Sequence, residues 1–452
     1  MSGALQAVFQ NMRSFGKGGW AIYLSGTTLP GEVKRNSIFA TATNLYVGSR
    51  FSNFGNTPSA VCSVSITAPS LNWSAYYYRS GATVPSWSTG MYASGSYVYG
   101  LLSENSGEPY LVQYDLSTGS LVSQTHFSGG SNGVSPADIV EDSSSNLCFS
   151  FSNSPSTGRR TSITKVNSAL TIQWGFTFEN TVSYKGSYGD SDIKELFTDS
   201  SNNIYAGGTL SNASSANRTA ICGVIKVDSA GTALWKRNYG NANTGAGQVG
   251  FQGAWLNGAG NVMVAFGGDA ADGLYFAEVS ASTGVYTGSY KQKLTFTGNV
   301  GAYKNSSTIV KADSSGNVWV FMANSATTMW LAKIDAALTT VTALSITGTA
   351  SITPQGLFVD TTNVYFSASV GTSGGSSQNY FKLPVDIAPF VGSTVTTNST
   401  TYTFAAATGT LASHTFTDGS ALSNTQTAGM NSTTTAFLTS DPQTNTLTSY
   451  TF

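Results

Sequence analysis

One short pattern recurs along the chain: a small polar residue, then three or four positions rich in Tyr, Val, Ile, Phe or Trp. It stands at Asn44–Gly48, Ser96–Gly100, Asn146–Ser150, Asn203–Gly207, Asn261–Val264, Asn317–Phe321 and Asn363–Ser367. Seven copies at near-equal spacing mark internal repetition. Each follows an apolar run and a turn, as in Ala137–Val140 before Glu141–Ser145 and Ser307–Val310 before Asp313–Gly316. Asp, Ser, Asn and Gly close tight turns because they bond their own backbone or tolerate positive φ. Run and signature therefore pair as a hairpin. A third strand follows: Val61–Val64, Tyr110–Asp115, Ile163–Val166, Val224–Asp228, Tyr275–Val279, Trp330–Asp335 and Tyr380–Leu383. A second Ser/Gly/Ala turn leads to a fourth strand, which holds Trp73, Trp174 and Trp235 in three of the copies.

Four antiparallel strands per repeat describe a propeller blade. One four-stranded sheet exposes two apolar faces; packing it on its neighbours covers both, and closing the ring leaves no terminal face. The expected fold is all-β, a propeller of seven blades, or of eight if the C-terminal segment supplies one more. Three regions follow: a leader at 1–19, the propeller at 20–387 and a charge-poor β-rich segment at 388–452. That last segment has no Lys, Arg or Glu, and reads as an eighth, diverged blade or an appended β module. Trp20–Leu24 looks like a fourth strand without a blade of its own, placed to close the ring on the last blade. Trp73, Trp174 and Trp235 are expected to pack between adjacent blades.

Composition changes the picture in one respect. Charged residues make up only 10% of the chain, against about 25% in an average soluble domain. Surface polarity must come from Ser, Thr, Asn, Gln and Gly. Net charge is −1, from 21 Lys+Arg against 22 Asp+Glu. Without clustered cations there is no phosphate-tracking surface, so nucleic acid is not an expected partner; Arg159 and Arg160 read as a loop tip. No run of 18 apolar residues is present, so no membrane insertion is expected. Cys62, Cys148 and Cys222 lie far apart in apolar strands and read as buried small hydrophobes.

The search for chemistry finds little. The two histidines, His126 and His414, fall in different repeats, and no nucleophile–base set assembles around either. Asp190 with Asp192, and Asp269 with Asp272, are loop carboxylates that read as solvated turn residues rather than a sugar-flanking pair or Ca²⁺ ligands. No catalytic, metal or cofactor site is expected. Tyr76, Trp87 and Tyr184 lie near Ser/Gly-rich segments and are the candidates for stacking on a glycan. At the N-terminus, Leu5, Val8, Phe9, Met12 and Phe15 follow the spacing of an amphipathic helix, a candidate docking element for a partner surface.

Two resemblances extend this reading. The repeat resembles the bacterial β-propeller repeat families, whose pattern of Asp-x-x-Gly-Asn, three apolar residues, then apolar-Lys-apolar-Asp before Trp is best matched at Asp199–Trp235. The Lys recurs only at Lys165, Lys226, Lys333 and Lys382. No Trp-Asp dipeptide occurs, which separates the chain from propellers of that repeat type. The stretch Gln6–Gly16 is similar to the short leader of phage tail-fibre and tail-associated proteins. That resemblance implies a virion structural protein of the tail or fibre region, not an enzyme. It would be made in the host cytoplasm and present in multiple copies per particle. It would join other virion proteins through the leader and turn its propeller outward, towards host-surface glycan. The alternatives are a bacterial extracellular surface-binding module and, third, a propeller glycosidase or lyase.

Overall fold

In a computed structural model of the chain the described residues are 13–14, 18–24, 35–50, 59–67, 71–79, 87–103, 109–128, 135–153, 160–180, 192–212, 219–239, 250–268, 273–299, 303, 307–371, 377–397, 399–413, 430–433, 439–441 and 447–451. They form seven antiparallel sheets and one short 3₁₀ turn at Ala388–Phe390. The propeller has seven blades, not eight. Each signature of the repeat is the second strand of its blade. Blade 4 shows the plan: Asp192–Thr198, Ile204–Asn212, Thr219–Val227 and Ala233–Tyr239, hydrogen-bonded in that order from the axis outwards.

The ring closes with strands from both ends of the propeller sequence. Blade 7 takes Ile352–Val359, Asn363–Val370 and Ser377–Pro384 from the end, and its fourth strand is Trp20–Leu24 from the start, as the sequence suggested. Trp20 and Ile22 are buried with Tyr365 and Tyr380 of blade 7 and with Leu45 and Cys62 of blade 1. Arg13–Ser14 adds a short fifth strand outside Trp20–Leu24. The leader candidates Leu5, Val8, Phe9, Met12 and Phe15 lie outside the described residues.

The segment after Pro384 adds strands to the outer edges of existing blades, against chain order. Thr400–Ala407 pairs with Val341–Gly348 of blade 6, and Gly409–Ser413 with Tyr286–Phe296 of blade 5. Met430–Thr433, Thr439–Asp441 and Leu447–Thr451 pair with the outer strands of blades 3, 2 and 1. Alternation drives the first docking: Val395, Tyr402 and Phe404 point inward and are buried with Leu344 and Ile346, while Thr394, Thr396 and Thr403 face out.

Adjacent blades are held by a repeated junction. Trp73, Trp174, Trp235 and Trp20 occupy equivalent places in the fourth strands of blades 1, 3, 4 and 7. The indole Nε1 of each donates to a carbonyl of the next blade: Leu116, Ser229, Ala281 and Ile66, each at 3.0 Å. The expectation for Trp73, Trp174 and Trp235 holds. Under three of the rings lies a glycine of the next blade's turn, Gly119, Gly231 or Gly284. All three have positive φ, and a Cβ there would come within 2.3–2.9 Å of the indole. Lysines opposite these tryptophans extend the junction. Lys165 Nζ lies 2.7 Å from Asp142 Oδ2 and donates to Ser229 O, and Lys226 Nζ donates to Ala281 O. The three cysteines are buried among apolar strands, and burial pushes the Cys62 and Cys148 thiols up to about 12.

Candidate functional site

First strands surround the axis, and several of the chain's few charges are spent there. In blades 2, 3, 4, 5 and 7 the first strand carries a bulge: between Ser88 and Gly90, Pro136 and Asp138, Ile193 and Glu195, Phe251 and Gly253, and Pro354 and Gly356. A bulge interrupts the ladder and re-aims the neighbouring side chain. Amides near it then need other acceptors, and in three blades the preceding blade supplies one. Met91 N donates to Asn36 O, Leu196 N to Asp138 Oδ2 at 2.7 Å, and Ala254 N to Glu195 Oε2 at 3.2 Å.

Arg35 and Asn36, just before the first strand of blade 1, reach across the axis. Asn36 Nδ2 donates to Ala137 O in blade 3 at 3.1 Å and to Lys194 O in blade 4 at 2.9 Å. Arg35 Nη2 donates to Val310 O in blade 6 at 3.2 Å and lies 3.7 Å from Glu195 Oε2. Its Cζ sits 5.7 Å from the centre of the Phe251 ring in blade 5. Lys311 of blade 6 donates to Glu195 Oε1 at 2.8 Å. Two consecutive residues thus contact five other blades, counting the Met91 amide on Asn36 O, and one carboxylate gathers cations from two directions.

These groups are buried: Arg35 is 9%, Asp138 7% and Glu195 6% exposed. Burial is the dominant influence on Asp138 and pushes its carboxyl up to about 7. Glu195 adds to the rise, while Lys311 and the amides of Leu196 and Ile139 oppose it only in part. Burial also lowers the pKa of Arg35, against the raising effect of Glu195 and Asp138. A carboxyl titrating near neutrality beside a second acid is what general acid–base chemistry uses. Here each oxygen of both carboxyls already accepts from the protein: Asp138 Oδ1 from Ile139 N, Oδ2 from Leu196 N, Glu195 Oε1 from Lys311 and Oε2 from Ala254 N. The cluster is built as a cross-brace.

No family model matches the sequence, and no curated protein is significantly similar to it. Among solved structures the chain is similar to the Dos1 propeller at 11% identity and a TM-score of 0.39, over 81% of this chain and 87% of that one. It is similar to a Trypanosoma rangeli sialidase in complex with the inhibitor DANA at 10% identity and a TM-score of 0.43, over 80% of this chain and 56% of the sialidase. It is also similar to the polysaccharide lyase Uly1 at 9% identity and a TM-score of 0.35, over 66% of this chain and 90% of the lyase. At these values the likenesses carry no functional argument; the propeller assignment stands on the seven sheets.

Trp87 stands at the start of the first strand of blade 2. Tyr76 lies within the fourth strand of blade 1. Only the backbones of Tyr76 and Trp87 are described, and Tyr184 lies outside the described residues, as do Asp190, Asp269, Asp272 and His414. Sequence reading missed the axial cluster. Asp138, Glu195 and Lys311 sit inside apolar first-strand runs, as in Ala137–Val140. In a chain this poor in charge, an acid or base within such a run was the available signal.

Proposed function

We propose that this chain is a non-catalytic propeller that serves as a structural and binding unit of a virion, in the tail or fibre region. The observation that carries the non-catalytic part is the axial cross-brace. The oxygens of the buried carboxylates nearest the axis are taken up by backbone amides and a lysine, three of the four by groups of another blade, which favours a rigid display surface over a reaction vessel. The virion part is supported by the resemblance of Gln6–Gly16 to tail-fibre leaders and by a surface built from Ser, Thr and Asn. On this reading the leader docks to other virion proteins, several copies assemble per particle, and recognition of host glycan falls to aromatic side chains, with Tyr76, Trp87 and Tyr184 as the candidates. The test is to purify particles from the producing host and locate the protein by mass spectrometry and immunogold labelling. Enrichment at the tail supports the reading. Recovery only from the cell surface or medium favours a bacterial surface-binding module, and turnover of a surface glycan by the purified chain sinks the non-catalytic claim.

A further inference from the structure

One member of the axial cluster is incompletely bonded. Arg35 is 9% exposed and spends Nη2 on Val310 O at 3.2 Å, with Glu195 Oε2 at 3.7 Å. Its Nε and Nη1 are buried and have no hydrogen-bond partner among the described residues. Those two nitrogens carry three of a guanidinium's five N–H bonds. The Phe251 ring, 5.7 Å from Arg35 Cζ, offers the cation a face but no lone pair. Two hydroxyls close by along the chain are also buried without a partner: Ser37 Oγ, two residues after Arg35, and Thr308 Oγ1, two residues before Val310. Leaving a buried donor unpaired is costly, more so when it is charged, and a bound water or ion is what such groups point to. Charge decides between the two. Arg35 and Lys311 are two cations, and Glu195 is the carboxylate both approach. Asp138 is a second acid, but burial pushes it up to about 7, so near neutrality much of it is protonated. In that state the four groups sum to one positive charge away from solvent. Buried charges are paired, and water supplies no charge.

We propose that Arg35 holds a chloride ion at the axis of the ring. The ion accepts from the guanidinium N–H groups that no protein atom uses, and charge-assisted bonds of this kind are the strong ones. Because Nε and Nη1 are enclosed by protein, a single-atom anion suits them better than a carboxylate or a phosphate. The cluster then has two neutral states. In one the chloride is bound and Asp138 carries a proton; in the other the chloride is released and Asp138 is ionised. Chloride uptake is therefore coupled to proton uptake, and the coupling is reciprocal. Affinity is full below about 7 and falls as pH rises through that value. The charges that act on Asp138 are Lys311 and Glu195, and Asp138 acts in turn on Arg35. The proposal does not rest on the virion reading and survives its failure.

The test is thermal unfolding of the full chain at constant ionic strength, with sodium chloride replacing sodium gluconate, whose anion is too large for the site. A ligand that binds only the folded state raises the melting temperature by mass action. At about 0.2 M chloride and about pH 6 the midpoint should rise by about 2 °C or more over gluconate. At about pH 8.5, where Asp138 is ionised, the rise should be less than half as large. Crystals grown in bromide should show an anomalous peak within about 3.5 Å of Arg35 Nε or Nη1. Arg35→Met, which keeps a stem of similar length and drops the charge, should lose both the chloride response and the peak. Equal midpoints in chloride and gluconate at the lower pH, a rise undiminished at the higher pH, no bromide at Arg35, or a response that survives in Arg35→Met overturns the proposal. If Arg35→Met fails to fold, the pH comparison and the bromide position in the parent chain decide.

Discussion

Trp235→Ala is the most direct probe of how blade is joined to blade. The indole is 8% exposed, packs edge-on to Tyr205 with ring centres 6.0 Å apart, and donates to Ala281 O at 3.0 Å. Truncating a buried Trp costs about 3–5 kcal/mol, of which about 1 kcal/mol is the lost hydrogen bond, since Ala281 O keeps the Lys226 Nζ donor. The cost should fall in the upper half, because the floor beneath the ring is Gly284, which has no side chain to collapse into the void. Trp235→Phe keeps most of the burial and loses the donor, so about 1–2 kcal/mol is expected. Trp174→Ala is the internal comparison: it makes the same bond to Ser229 O but its ring is only partly buried, so its cost should be about half. Equilibrium denaturation in guanidinium, followed by far-ultraviolet circular dichroism, reads all three. An unchanged midpoint for Trp235→Ala, or a larger loss for Trp174→Ala, refutes the assigned register and the junction with it.

Three further outcomes follow from the same structure. Gly119→Ala should destabilise more than Gly95→Ala: both positions have positive φ, worth about 1–2 kcal/mol against any side chain, but only at Gly119 does the new Cβ meet an indole, that of Trp73, at 2.3 Å. Stability should fall as pH rises from about 4 to about 7 through Asp138, whose folded pKa of about 7 stands above its ordinary value of 3.8. The folded state holds a proton across that window that the unfolded state has lost, so the contribution is full below the window and gone above it, on the order of a few kcal/mol; a flat guanidinium midpoint from pH 5 to 8 contradicts this. Deleting residues 1–12 should leave a cooperatively melting ring, whereas deleting 1–24 should abolish it, because the second cut removes the fourth strand of blade 7; circular dichroism melts distinguish the two.

Architecture was legible because it is local. A hairpin signature recurs wherever two strands and a turn must form, so seven copies could be counted without knowing where any blade sits. Trp20–Leu24 was readable for the same reason: a fourth-strand pattern with no blade of its own needs a partner. The course of the C-terminal segment was not readable. Its alternation announces strands, but an edge strand on blade 6 and the strand of a new blade have the same period of two. The axial cluster was hidden for a different cause. Arg35, Asp138, Glu195 and Lys311 meet only once the ring has closed, and no local spacing links residues from four separate blades.

The degeneracy of the repeat has a physical basis in these junctions, where volume and charge are conserved across two blades rather than within one. Trp73, Trp174 and Trp235 each face a glycine. Where the Trp position is Ser123, the facing turn carries Leu170 instead, nearly fully buried and holding the left-handed conformation at a φ of 59°. That strain, about 1–2 kcal/mol per residue, is set against an apolar side chain filling space that an indole fills elsewhere. Charge follows the same rule: the Asp and Lys of blades 3 and 4 become Asn257 and Glu278 in blade 5, which exchanges the ion pair for an amide–carboxylate bond of 2.7 Å. Each substitution looks like decay when one repeat is aligned on another, yet reads as a matched pair when a blade is set against its neighbour.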